Sequence, residues 1–163
     1  MKTSQKGLDF IKSEEGLVNH VYKDQAGFPT VGIGHKLTPL QLASGNLVIN
    51  GESVRYAGGL TDQQCYDLLA QDVIPAENEV NQAVKVTLDQ NQFDALVDFT
   101  FNCGVGAFAS SSALEAINAG QFDQVPADLA KWNKIHKPDG TLAVCDNLVR
   151  RRAKEAALFM EAV

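Results

Sequence analysis

The hydrophobic periodicity switches from strand-like near the N-terminus to helical over the second half of the chain, and that switch constrains the fold more than any other feature. Near the N-terminus, Val18–Lys23 and residues 30–34 read as short strand-like runs on either side of a turn made by Gly27, Phe28 and Pro29, a hairpin signature. From Leu88 onward the apolar spacing is helical, through "LDQNQFDALVDFTFN", "AFASSSALEAINAG", "QFDQVPADLAKWNKI" and "NLVRRRAKEAALFMEA", punctuated by glycines and by Pro138, Asp139 and Gly140. A strand-bearing hairpin segment followed by a long run of helices predicts an α+β fold, not an alternating α/β one.

Between these regions the reading is plain in places and blank in others. Leu8, Phe10 and Ile11 mark a first helix with Ser4 as a candidate cap and a stop near Gly16. Thr61 and Gln64 form a capping box ahead of Leu68, Leu69 and Val73, so a long helix is expected over about 61–80, kinked or ended by Pro75. Residues 36–60 alternate short apolar pieces with Gly, Ser and Asn and are expected to be irregular, with room for one more short strand. The expected architecture is a single domain over 1–163, with a small lobe at about 13–60, the connecting helix, and a helical lobe at about 81–163.

Composition narrows the function. The net charge of −6 argues against general nucleic-acid binding. Residues 1–130 carry seven Lys and Arg against sixteen Asp and Glu, whereas residues 131–163 carry seven against four, so the basic groups cluster at one end. Such a cluster suits a local anionic partner, or an internal partner for buried carboxylates. No apolar run approaches the about 20 residues of a membrane span. Asp9, Lys12, Glu14 and Glu15 interrupt any apolar signal core, so membrane insertion is not expected and the chain should first reside in the cytoplasm. Cys65, Cys103 and Cys145 have no metal-ligand spacing and are expected to be small buried hydrophobes.

The stretch "YKDQAGFPTVGIGHK" concentrates the residues that carry chemistry. Gly32 and Gly34 lack the third glycine of a dinucleotide fingerprint and the lysine–serine pair of a phosphate loop. They instead allow a bent strand and the close approach of another group to its backbone. Asp24 and Gln25 begin a polar loop, but apolar residues follow where a calcium loop needs oxygen ligands, and no metal or cofactor is expected. What remains is carboxylate chemistry. Glu15 lies at a helix end, Asp24 at the end of the first strand run and Thr30 at the start of the second, so a fold-back could bring all three to one side. Two separated carboxyl groups, one protonated and one ionised, are what glycoside hydrolysis uses.

The pattern Glu15-Gly16, then Tyr22-x-Asp24-x-x-Gly27-x-x-Thr30-x-Gly32-x-Gly34-His35, closely resembles the phage-type lysozymes, the muramidases of tailed bacteriophages. The resemblance continues through "LTDQQCYDLLAQDV", "LDQNQFDALVDFTFNCGVGAFASSSALEAINAG" and "LVRRRAKEAALF" and covers essentially the whole chain. It implies a two-lobed lysozyme-like fold with the sugar chain between the lobes. It also implies Glu15, Asp24 and Thr30 as catalytic residues, with Gly34, Phe101, Asn102 and an arginine of the triplet 150–152, Arg152 ahead of Arg151, meeting substrate. His35 is implied to be structural, paired with Asp72 on the long helix, and Trp132 is read as core.

The implied activity is hydrolysis of the β-1,4 bond from N-acetylmuramic acid to N-acetylglucosamine in peptidoglycan by a monomeric endolysin. It would be held in the host cytoplasm until a membrane-permeabilising holin admits it to the periplasm and wall. Two other readings fit the same scaffold. A lytic transglycosylase would have no use for an Asp and Thr that position water, and a non-catalytic wall-binding domain would be free to lose Glu15 or Asp24.

Overall fold

The computed structural model describes residues 1–24 and 26–162, so Gln25, the second polar residue of the loop that begins at Asp24, lies outside the described residues. The chain is α+β and forms two compact units, residues 8–74 and residues 1–7 with 75–163.

In the first of these, helix α1 (Gln5–Glu15), from Leu8 onward, leads into a three-stranded antiparallel sheet of β1 (Val18–Lys23), β2 (Pro29–Gly32) and β3 (His35–Lys36). The turn between β1 and β2 closes through the Gly27 N–H on the Asp24 carbonyl at 2.8 Å, and Gly27 takes φ +85°, which a side chain would oppose. Tyr22 pairs with Thr30 and Thr30 with Lys36, so these three form one row across the sheet. The pairing of β1 is irregular between Val18 and Tyr22. Helix α3 (Asp62–Asp72) packs on β2, and the core includes Ile11, Val31, Ile33, Leu47, Cys65, Leu68 and Leu69. Each fully buried aliphatic side chain of this kind contributes about 1.5–3 kcal/mol.

Residues 36–60 are more ordered than expected. They hold helix α2 (Pro39–Ser44) and a hairpin of β4 (Asn46–Ile49) and β5 (Glu52–Arg55). Thr38 and Gln41 form a full capping box on α2, and Asn50 with Gly51, at φ 53° and 82°, makes the two-residue turn that a tight hairpin requires.

The helix expected over 61–80 is two helices, α3 and α4 (Ile74–Ala83), which part at Val73. Pro75 has no N–H to give the Gln71 carbonyl, and its ring would press on that carbonyl, so the first helix cannot run on through it. The capping box of Thr61 and Gln64 is present at the start of α3.

The other unit is built on α5 (Gln90–Cys103), capped by Asp89 and Gln92, against which α9 (Asp146–Met160) packs. Helices α6 (Val105–Ala109), α7 (Ser112–Asn118) and α8 (Val125–Ala130), with α4 from Pro75 onward, also belong to it. Phe99 meets the rings of Phe108 and Trp132 edge-on at 6.3 and 5.7 Å, and Phe122 meets Phe159 likewise at 5.9 Å. Trp132 is nevertheless only half-buried, so it is not the plain core residue expected. The unit is not wholly helical either. β6 (Lys134–His136) and β7 (Leu142–Val144) pair as a hairpin, whose turn closes through the Gly140 N–H on the Lys137 carbonyl and through Asp139 accepting from the Thr141 N–H. Of the three cysteines only Cys65 is buried, while Cys103 and Cys145 are half-exposed. Among the described residues no helix is long and apolar enough to cross a membrane.

Candidate active site

Glu15 is the last residue of α1, and its side chain lies against Gly34. A Cβ on Gly34 would stand 3.2 Å from Glu15 Oε2 and 3.5 Å from Glu15 Cβ, and Gly34 has φ +72°. The group that approaches the Gly34 backbone is therefore the Glu15 carboxyl.

Asp24 follows β1 and is gripped by the turn it begins. Its Oδ1 accepts the N–H groups of Ala26 at 2.9 Å and Phe28 at 2.8 Å, while its own N–H donates to the Phe28 carbonyl at 2.9 Å. Lys36 Nζ, arriving from β3, lies 3.3 Å from Asp24 Oδ2. The Phe28 N–H first, then Lys36 and the Ala26 N–H, outweigh slight desolvation and hold this carboxyl below the usual carboxylate range. Asp24 is thus kept ionised with one oxygen committed to the backbone.

Thr30 sits in β2, 2% exposed, and its hydroxyl donates to the Phe28 carbonyl at 3.0 Å. With its hydrogen so engaged, Oγ1 has only lone pairs left to offer. Tyr22, opposite Thr30, connects the group. Burial first, then the charges of Glu15 and Asp24, raise its phenol, so both carboxylates stand close enough to be felt at one ring.

His35 Nδ1 lies 2.8 Å from Asp72 Oδ2, and its Nε2 lies 3.3 Å from Gln41 Oε1. Burial lowers the imidazole's affinity for a proton, but the hydrogen bond and charge of Asp72, helped by Gln41, more than reverse this and raise its pKa.

In the other unit, Phe101 is half-buried and Asn102 exposed at the end of α5. Arg152 is 1% exposed. Its guanidinium donates to Glu155 Oε1 at 2.5 Å, Asn102 Oδ1 at 2.9 Å and Cys103 Sγ at 2.7 Å, and lies 5.0 Å from the Phe99 ring centroid. Arg152 therefore orders the Asn102 amide, turning its NH2 away from the guanidinium. Arg151 is also buried, holds Asp98 through two hydrogen bonds and lies 3.7 Å from Glu155 Oε1. The basic triplet, read from sequence as a cluster, thus holds two interior arginines that serve as partners for the carboxylates of Asp98 and Glu155.

Two participants escaped the sequence reading. Lys36 touches Asp24 only because three strands bring residues twelve apart together, and nothing in the linear spacing signals it. Glu155 was legible as the i+3 neighbour of Arg152, but its burial was not.

The chain belongs to the Phage lysozyme family, whose pattern it matches over residues 12–155. It is 40% identical over 161 residues to an endolysin of Bacillus phage PZA, covering 98% of this chain and 55% of that protein. It is 33% identical over 160 residues to the endolysin of Salmonella phage P22, covering 98% of this chain and 99% of that one. The chain thus spans about half the length of the first relative and nearly all of the second. Among solved structures, an endolysin from Escherichia coli O157:H7 phage FAHEc1 superposes with a TM-score of 0.82 at 35% identity, covering 100% of this chain and 96% of that one.

Proposed function

We propose that this chain is a peptidoglycan hydrolase of the lysozyme type that cleaves the β-1,4 bond between N-acetylmuramic acid and N-acetylglucosamine with inversion. The observation that carries the reading is the state of Asp24, a carboxylate kept ionised by two backbone N–H groups and Lys36, with a threonine lone pair and a second carboxyl, Glu15, near the same tyrosine.

In this mechanism Glu15 donates its proton to the departing glycosidic oxygen as the C1–O bond breaks. A water held by Asp24 Oδ2 and Thr30 Oγ1 attacks C1 from the opposite face and gives a proton to Asp24, whose charge also stabilises the oxocarbenium-like transition state. Protons then return from Asp24 and to Glu15 through solvent. Gly34, Phe101 and the Asn102 amide ordered by Arg152 contact the glycan, and His35 with Asp72 fixes the sheet. The protein works as a monomer on glycan strands, which it reaches from the host cytoplasm once a separate holin has permeabilised the membrane. The names of its relatives as endolysins support this setting.

The test is mass analysis of the fragments released from purified peptidoglycan. Reducing N-acetylmuramic acid ends are expected. Anhydro ends would make it a transglycosylase, and no release would leave only binding.

A further inference from the structure

Asp24 has two carboxylate oxygens, and the turn treats them differently. Oδ1 accepts both backbone N–H groups, from Ala26 and Phe28, and is fully committed. Oδ2 is the oxygen left to act on a water, and the cation beside it is Lys36, 3.3 Å away. That ammonium is not placed by chance rotation of a surface chain. Its stem leaves β3 in the row of Tyr22 and Thr30, and Nζ lies 4.9 Å from the centroid of the Phe28 ring, a cation–π contact. Phe28 is itself the residue whose N–H holds Oδ1. One residue, Phe28, thus anchors the carboxylate through its backbone and the ammonium through its ring.

We propose that Lys36 is a positioning residue for the reaction, setting the direction in which Asp24 Oδ2 presents its remaining lone pair and the pH down to which Asp24 stays a base. This rests on the reading of Asp24 as the base. Among the described residues, Tyr22 from β1 also feels this carboxylate, together with that of Glu15 from α1. Tyr22 remains neutral through the range in question, because burial and both carboxylates raise its phenol. The ammonium opposes protonation of Asp24 from a side chain, and its contribution adds to that of the Phe28 and Ala26 N–H groups. The side chain is well exposed, 61%, so solvent screens the pair and the effect is modest in size and specific in form.

The experiment compares kcat/KM against pH on purified glycan strands for the parent, Lys36→Met, Lys36→Glu and Lys36→Arg, alongside carbon NMR titration of the Asp24 carboxyl in each. Exposed ion pairs of this kind correspond to about 0.2–0.7 of a pH unit. Lys36→Met should move the acidic limb up by about that amount, Lys36→Glu by more, and Lys36→Arg should restore it. The alkaline limb should stay in place, and the NMR titration should move with the acidic limb. A carboxyl titration unmoved in Lys36→Glu, or one that moves without carrying the acidic limb, would overturn the proposal. Asp24→Asn separates the two levels of the account. If that variant keeps parental turnover, Asp24 is not the base and the functional reading fails, whereas the NMR arm still reports whether Lys36 controls the carboxyl.

Discussion

Arg151 grips Asp98 with two parallel hydrogen bonds, Nε to Oδ2 at 3.0 Å and Nη2 to Oδ1 at 2.6 Å, and both side chains are buried. The pair joins α9 to α5, the two helices at the centre of the larger unit. Glu155 stands beside it at 0% exposure, and burial, followed by the nearness of Asp98, pushes its carboxyl well above the usual range against the pull of both arginines. Removing Asp98 would take from Arg151 its bidentate partner and leave it in the interior facing Glu155 Oε1 only at the longer distance of 3.7 Å.

Asp98→Ala should therefore destabilise the protein by about 3–5 kcal/mol, far more than an exposed ion pair would. Urea melts of parent and variant measure it, and a loss under about 1 kcal/mol would show that the pair is as well solvated as a surface bridge.

Glu15→Gln keeps the size of the side chain against Gly34 and removes the proton that Glu15 gives the leaving oxygen in the proposed mechanism. Turnover of peptidoglycan should fall by a factor of about 10²–10⁴, with the melting transition near the parent's. Glu14→Gln, one residue earlier, should stay close to parental rate. Equal rates for the two variants would move the acid elsewhere.

Gly34→Ala tests the packing beneath that acid. The added methyl would sit 3.2 Å from Glu15 Oε2, at a φ of +72° that L-residues avoid at about 1–2 kcal/mol. Reduced stability of that order and a turnover loss of at least about tenfold, from a displaced carboxyl, are expected. A stable variant with parental turnover would mean that the carboxyl is free to shift without consequence.

The pair of His35 and Asp72 makes stability depend on pH with a defined sign. His35 has a folded pKa above its unfolded value of 6.5, so its contribution is full below about 6.5 and is lost as pH rises through the raised folded value. The unfolding free-energy difference between parent and His35→Asn, followed by denaturant melts upward from about pH 6, should shrink with rising pH. A flat difference across that range would mean that the imidazole gains nothing from Asp72.

How much of this was legible in the sequence depends on the distance over which each feature is built. The β1–β2 turn could be read because Gly27 and Phe28 sit between two short runs, although the second strand is Pro29–Gly32 and so takes in the proline, and the caps at Thr61 and Gln64 because both partners lie within one turn of helix. Asn50 and Gly51, between "LVI" and "ESVR", are an equally local hairpin signal that the expectation of an irregular 36–60 leaves out. Asp139 and Gly140 likewise read as punctuation between helices when they turn one strand into another. The pairing of Lys36 with Asp24 and the burial of Arg152 were of another kind. The first needs the register of three strands, and the second needs α9 packed on α5, which a basic triplet by itself does not announce.

The central claim is that Asp24 activates a water and does not itself bond the sugar. A water-activating carboxylate stands about 6.5–9.5 Å from the acid, whereas a nucleophilic one stands at about 5–5.5 Å. Thr30 Oγ1, its hydrogen given to the Phe28 carbonyl, suits a second acceptor for that water and has no role beside a carboxylate already joined to C1. NMR of the first-formed reducing ends, recorded before mutarotation, decides between them. The account predicts the α-anomer and no trapped glycosyl-enzyme; a β-anomer, or a covalent adduct on Asp24, would contradict it.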